Sequence, residues 1–435
     1  MSEHHVIFLG AGSSYGSGYP LANDLRLLIS SRKNWEEALV KYEDEHKLPG
    51  KPISALGINY WDSHVVALDL FRNGGFATVD EFCKLAGGFS FQSEINNLRC
   101  LLRAALGLFN PEEKFEKSEY YGFIQSLFMP DLLSLRDGVT VLSFNYDPYL
   151  EYLLLRALQH RYQVTRRTSS LVLSNEESAA QKKYENSCYA VTSGFIAPAD
   201  QKWLGAQSDA PTFCVLKLHG SIVSAVNAIS DFETLFSDRE GSALRRAEKL
   251  LGENSGRNMP PILFPWEIMD KNGFIEKDAS PFQNAPAVHS LFRSIWERAR
   301  RAVQTADKIS FVGLSMHEYL NDGFRYLFGN FGKESDPKIR AMIDAGNIDE
   351  NKPKEVQVVV ANPENENFKH TDKGMHPASL CGKVNVMLRT VADNMKFVRS
   401  SSEDVGGFHG GPEDVTEFGI TPRNSFKEFI EREMD

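Results

Sequence analysis

Five short apolar runs in the chain each open directly into small or polar residues. Val6-Ile7-Phe8-Leu9 leads into Gly10-Ala11-Gly12-Ser13-Ser14, followed by Ser17-Gly18-Tyr19-Pro20. The run 139–144 leads into Asn145-Tyr146-Asp147-Pro148, and the run 213–218 into His219-Gly220-Ser221. Residues 309–312 lead into Gly313-Leu314-Ser315, and residues 356–360 into Ala361-Asn362-Pro363. Residues without bulk at the mouth of a helix let backbone N–H groups approach a pyrophosphate. An asparagine can orient a hydroxyl or a water, and a histidine that is neutral near pH 7 can take a proton. Where a bond already has a good leaving group, positioning, charge stabilisation and a general base are enough to cleave it.

Such residues need elements to hold them. The β-branched and apolar runs read as buried parallel strands, and after the first of them Leu21, Leu25, Leu28 and Ile29 have the spacing of a helix with one buried face. Leu150, Leu153, Leu154, Ala157 and Leu158 mark a second amphipathic helix. Polar and glycine clusters at the carboxyl ends of successive strands are where a doubly wound sheet keeps its ligand crevice. The expectation is an α/β fold with a doubly wound, parallel, Rossmann-like sheet and large helical insertions. Residues of about 31–137 read as a helical insertion, while 161–211 read as polar and irregular. Mixed insertions are expected at about 161–211 and 225–300. The Gly406-Gly407-Phe408-His409-Gly410-Gly411 loop sets off a C-terminal tail, 401–435, with a short helix from Phe426 to Met434.

Composition narrows the classes. The 435 residues are 42% hydrophobic and 24% charged, which argues against disorder, collagen or a coiled coil. With 48 Lys and Arg against 58 Asp and Glu, the net charge of −10 gives direct nucleic-acid binding no support. The clusters at Arg161, Arg166 and Arg167, at Arg245 and Arg246, and at Arg298, Arg300 and Arg301 read as solvated helix faces or oligomer contacts. The start has neither the basic region nor the apolar stretch of a signal peptide, and no run reaches the length of a membrane span. Five scattered cysteines without a C-x-x-C pair indicate neither a disulfide framework nor a zinc site. A cytoplasmic protein without membrane attachment or metal is expected.

Taken in order, the strand-end segments resemble those of the sirtuin-like superfamily. In that family a G-A-G-x-S…S-G-I-P segment wraps the phosphates of NAD, a T-x-N-x-D segment brings an asparagine to the nicotinamide ribose, an H-G motif supplies the histidine, and later G-x-S and asparagine segments hold the adenosine half. The resemblance implies Gly10, Ala11, Gly12 and Ser14 at the phosphates and Asp147 near the ribose. It implies Asn145 and His219 as the catalytic pair, and Gly313, Ser315 and Asn362 at the adenosine. It makes residues 1–400 one NAD-binding domain. The matching segments are short but spread from residue 10 to residue 362.

Two departures sharpen the comparison. Deacylating sirtuins carry a cysteine zinc module after the histidine, whereas only Cys381 follows His219 here. Asn145 and His219 also stand 74 residues apart, wider than in deacylases. Thr78-Val79-Asp80-Glu81-Phe82 resembles a segment of bacterial sirtuin-like antiphage proteins, whose activity is hydrolysis of NAD. By this resemblance the chain is expected to be an NAD glycohydrolase, with NAD as substrate and release of nicotinamide and ADP-ribose. It would be a homo-oligomeric effector of abortive infection, controlled by a partner such as a HerA-type ATPase or a nucleotide-generating enzyme. A deacylase and a non-catalytic NAD or ADP-ribose sensor are the alternatives. The missing module argues against the first, and the presence of both Asn145 and His219 against the second. Individual residues keep a second role open: Asn145 and Asp147 could cap the following helix. Asp80 and Glu81 could begin a helix, and His317, Glu318 and Asp322 could line the pocket or start a solvated helix.

Overall fold

The computed structural model describes residues 3–15, 17–48, 52–74, 79, 81–83, 92–108, 119–131, 133–169, 174–194, 213–222, 242–252, 262–264, 267, 269–270, 273–274, 286–314, 321–328, 354–361, 395–398, 420–423 and 426–434. The five apolar runs form strands β1 (His5–Leu9), β2 (Val139–Ser143), β3 (Cys214–Lys217), β6 (Lys308–Val312) and β7 (Lys354–Ala361). A small antiparallel pair, β4 (Met269–Asp270) and β5 (Gly273–Phe274), lies between β3 and β6 in the chain. Two further strands, β8 (Met395–Val398) and β9 (Ile420–Arg423), pair with successive halves of β7.

The main sheet has the order β3-β2-β1-β6-β7-β8, with β9 also on β7, and every pairing in it is parallel. The chain builds outward from β1 to β3, then returns to the far side of β1 with β6. That is the strand order of dinucleotide-binding α/β folds, and its switch point falls between β1 and β6.

Side chains alternate across the sheet. Ile7, Leu9, Val141, Val215, Val312 and Val359 enter one core, while Val6, Phe8, Leu142, Leu216, Phe311 and Val358 enter the other. Burial on both faces demands apolar residues at nearly every position, which explains why these strands read as unbroken runs. Among the described residues, seven helices lie between β1 and β2: α1 (Gly12–Tyr15), α2 (Ala22–Ser30), α3 (Arg32–Glu45), α4 (Pro52–Asp62), α5 (Val65–Asn73), α6 (Gln92–Leu108) and α7 (Glu119–Ser126). Those from α2 to α7 bury residues in the first core, together with α8 (Tyr149–Ser169), α9 (Ser174–Thr192) and α10 (Ser242–Leu251). The second core is covered by α11 (Pro286–Thr305) and α12 (Asn321–Phe328). Among the described residues no helix is long and apolar enough to cross a membrane.

The structure corrects the reading of residues 161–211 as irregular. α8 runs on to Ser169 and α9 occupies 174–192. α9 carries few apolar residues, but Ala180, Cys188 and Val191 are buried and Tyr184 stacks on Tyr162 of α8 with centroids 4.6 Å apart. Its stability comes from that packing rather than from composition. The segment 225–300 is likewise more than an insertion, because α11 buries Ile295, Trp296, Ala299 and Val303 against the sheet. Two arginines expected on solvated faces are buried instead. Arg246 donates from Nε to Tyr42 Oη at 2.9 Å, and the Arg300 guanidinium lies over the Tyr326 ring at 4.7 Å.

The C-terminal helix α13 (Phe426–Glu433) also joins the body of the fold. Phe429 is buried beside His5, Glu433 pairs with Lys308, and Arg136 donates to the Met434 carbonyl. Of the Thr78–Phe82 motif, Val79 and Phe82 are buried in the first core, while Thr78 and Asp80 lie outside the described residues.

Candidate functional site

The strand register fixes where the polar clusters meet. Leu9 aligns with Ser143 on one side and Val312 on the other, and Ser143 aligns with Lys217. The turns after β1, β2, β3 and β6 therefore leave the sheet at one carboxyl edge.

The turns after β1 and β6 touch backbone to backbone. Gly10 N donates to Val312 O and Gly12 N to Gly313 O, both at 2.9 Å. A Cβ on Gly10 would lie 2.5 Å from Gly313 O, and one on Gly313 would lie 2.3 Å from Ser13 N. Gly313 also has φ +58°, a left-handed conformation that suits glycine. Ser13 N and Ser14 N donate back to Gly10 O and Ala11 O at 2.9 and 3.2 Å. The expected phosphate cradle thus spends the N–H groups of Gly10, Gly12, Ser13 and Ser14 inside the protein, and these glycines serve loop-to-loop packing at the switch point. We predict that Gly313→Ala costs roughly 2–5 kcal/mol, combining left-handed strain with overpacking. Urea unfolding within 0.5 kcal/mol of wild type, a surface-like effect, would contradict that close approach.

Asn145 stands on the turn after β2 and is buried. Its Nδ2 lies 3.4 Å from Ser13 Oγ and 3.2 Å from Ser14 Oγ. Ser13 directs its hydroxyl proton to Gly10 O at 2.7 Å, and Ser14 directs its own to Asp147 Oδ2 and Ala11 O at 3.1 and 3.2 Å. Both serines therefore present lone pairs to Asn145, which assigns the amide nitrogen to that side. Asn145 Oδ1 is then an acceptor, buried and without a partner among the described residues.

Asp147 does what a helix start requires. Its Oδ1 accepts from Tyr149 N at 3.2 Å, an Asx turn at the head of α8, and its Oδ2 accepts from Ser14. Each oxygen thus accepts one bond within the protein, in the capping role that the sequence left open beside the ribose contact. Burial raises the Asp147 pKa, opposed by the nearby charge of Lys217.

The turns after β2 and β3 run side by side, through Leu218 N to Ser143 O at 2.9 Å and Ile222 N to Tyr146 O at 3.0 Å. This places His219 beside the Asn145 turn, with Phe144 edge-on to its ring at 4.8 Å and Tyr146 at 6.0 Å. A short strap at 262–264 runs beside it: Leu263 N donates to His219 O at 2.9 Å, and Gly220 bridges to Ile262. Arg99 of α6 ties that strap down, donating to Ile262 O at 3.0 Å and pairing with Glu267. His219 Nε2 is buried and, like Asn145 Oδ1, has no partner among the described residues.

Burial, and secondarily the charge of Lys217, lower the His219 pKa from 6.5 to about 3. Between those values the unfolded chain binds a proton that the folded chain does not. Stability from this source is full above pH 6.5 and falls by ~1.4 kcal/mol for each pH unit of acidification. Asp147 and Glu151, whose pKa values are raised, act in the opposite sense. The contribution of His219 is isolated by comparison with His219→Gln. Between pH 6.5 and 5 the variant should gain about 2 kcal/mol relative to wild type, and a gap independent of pH would show a solvated ring.

Sequence reasoning missed Lys217 and Glu151. Lys217 ends β3 with a buried ammonium that donates to Asp147 O at 2.5 Å, reaches Ser143 Oγ at 3.4 Å and pairs with Glu151 of α8 at 3.1 Å. A lysine inside the run Cys214-Val215-Leu216-Lys217-Leu218 was itself the signal, since a charge in a buried strand demands a partner. Ser315, Asn362, His317 and Glu318 lie outside the described residues, and Asp322 falls in the first turn of α12. Among the described residues no group of three His, Cys, Asp or Glu side chains is placed to hold a metal.

No protein-family model matches the chain, and no curated protein matches it.

Proposed function

We propose that this chain is an NAD glycohydrolase, in which water replaces nicotinamide at the ribose carbon and ADP-ribose is the second product. The observation that carries the reading is that Asn145 Oδ1 and His219 Nε2, on adjacent turns at the carboxyl edge of a dinucleotide-order sheet, are both buried without a partner among the described residues. Burying a polar atom unpaired costs about 1–3 kcal/mol, a cost that a ligand can offset. Asn145 Oδ1, oriented as an acceptor, suits a donor such as a ribose hydroxyl or the attacking water. Neutral His219 suits the water's proton. The C–N bond breaks with its electron pair leaving on nicotinamide, the water oxygen bonds to the ribose carbon, and His219 takes the proton.

The buried ring also supports a resting state. A base held near pKa 3 does not retain a proton at pH 7, and burial is the main cause. Admitting water removes that cause and returns the ring toward the range in which a base works. An NAD-depleting enzyme that acts in the cytoplasm must rest in such a form, and an activator or oligomeric partner would favour the open one by binding it more tightly. By resemblance, antiphage defence is the setting.

The test is incubation of purified protein with NAD, with and without an acetylated peptide, and chromatography of the products. Release of nicotinamide and ADP-ribose in equal amounts, slow in the resting form and independent of peptide, is expected. Nicotinamide release that requires the peptide would replace the reading with a deacylase, and tight NAD binding without cleavage under any activation would replace it with a sensor.

A further inference from the structure

We propose that Tyr120, on α7 of the helical insertion, is a positioning residue for this site: it donates a hydrogen bond to Ser13 and thereby holds the Asn145 amide in one orientation. The inference rests on the glycohydrolase reading for its consequence in catalysis, though not for its geometry.

The direction of the bonds follows from counting protons. Ser13 Oγ has one, committed to Gly10 O at 2.7 Å, and two lone pairs. Tyr120 Oη lies 2.8 Å from the same oxygen, so the phenol is the donor. Asn145 Nδ2 takes the other lone pair at 3.4 Å, and the serine is then fully engaged. Turning the amide over would set Asn145 Oδ1 against an oxygen with no proton to offer. Losing the phenol leaves a lone pair unfilled and frees the serine to rotate, which relaxes the constraint on the amide.

The phenol is suited to this task. Tyr120 is buried, and its ring meets Phe123 and Tyr149 edge-on at 6.3 and 5.6 Å, contacts that a phenylalanine would keep. Burial and the neighbouring Asp147 push its pKa well above 10.0, so the donor proton is always present. α7 is backed in turn by α13, where Ile430 faces Gly122. The insertion thereby reaches the turn after β1 through the Tyr120 hydroxyl.

The experiment compares Tyr120→Phe, Ser13→Ala and the double variant in the full chain. For Tyr120→Phe, kcat for NAD should fall by about 10- to 100-fold with KM within about threefold, as for a misplaced rather than absent group. The double variant should be no slower than Ser13→Ala. Wild-type kcat in Tyr120→Phe, or effects that multiply in the double variant, would overturn the proposal. A second readout does not depend on NAD: proton exchange at the Asn145 side-chain amide, measured by NMR on asparagine-labelled protein. Faster exchange in Tyr120→Phe supports the positioning role even if the wild-type chain leaves NAD intact, which would remove only the glycohydrolase reading. Unchanged exchange overturns the proposal.

Discussion

Replacing His219 by glutamine should lower NAD cleavage by about 10²–10⁴-fold, the contribution of a well-placed general base. Glutamine is preferred to alanine because the ring is buried between Phe144 and Tyr146, and alanine would leave a cavity beside them. It keeps polar atoms in the site but has no basic nitrogen near neutral pH. The loss should fall on kcat more than on KM, since proton acceptance matters in the transition state and little in the bound ground state. Rates are measured by nicotinamide release from wild type and variant side by side, with folding checked by circular dichroism. A folded variant that turns over like wild type would remove His219 from the mechanism and leave it as a packed ring.

Lys217→Met should destabilise the protein by about 3–5 kcal/mol near neutral pH, the cost of stranding a buried charge by removing its partner. Lys217 and Glu151 are each only 1% exposed, and the same ammonium faces Asp147 and tethers its carbonyl. Without the cation, Glu151 keeps its proton to a higher pH than in the unfolded chain. The folded protein then binds more protons than the unfolded one, and stability falls as pH rises. The deficit in urea unfolding should therefore be larger at pH 8 than at pH 5. Combining Lys217→Met with Glu151→Leu should recover most of the loss, because an apolar pair of similar volume has no stranded charge. A loss below 1 kcal/mol at pH 8, or a double variant as unstable as the sum of the two single ones, would mean that the pair is solvated.

The five core strands were legible in the residues because a parallel sheet buried on both faces needs apolar side chains at almost every position. The helix after β2 was legible from its period. α9 was not, since its few buried residues gain their energy from α8, and composition holds no record of a neighbour. β8 and β9 escaped because four-residue strands on one edge leave little pattern to read.

The site divides in the same way. The order of Gly10, Asn145, His219 and Gly313 along the chain, each after an apolar run, was enough to place them at one carboxyl edge, because parallel strands all end on the same side. Side-chain type alone set what chemistry Asn145 and His219 could perform. Partners were decided only in three dimensions: that Gly10 and Gly313 pack on each other, that Asp147 caps α8, that Lys217 is balanced by Glu151, and that Tyr120 reaches Ser13 from the insertion. Hydrogen bonds and ion pairs depend on a few tenths of an ångström between residues more than a hundred positions apart, as with Ser13 and Tyr120. Sequence spacing records how far apart such groups lie along the chain, and folding alone sets how far apart they lie in space.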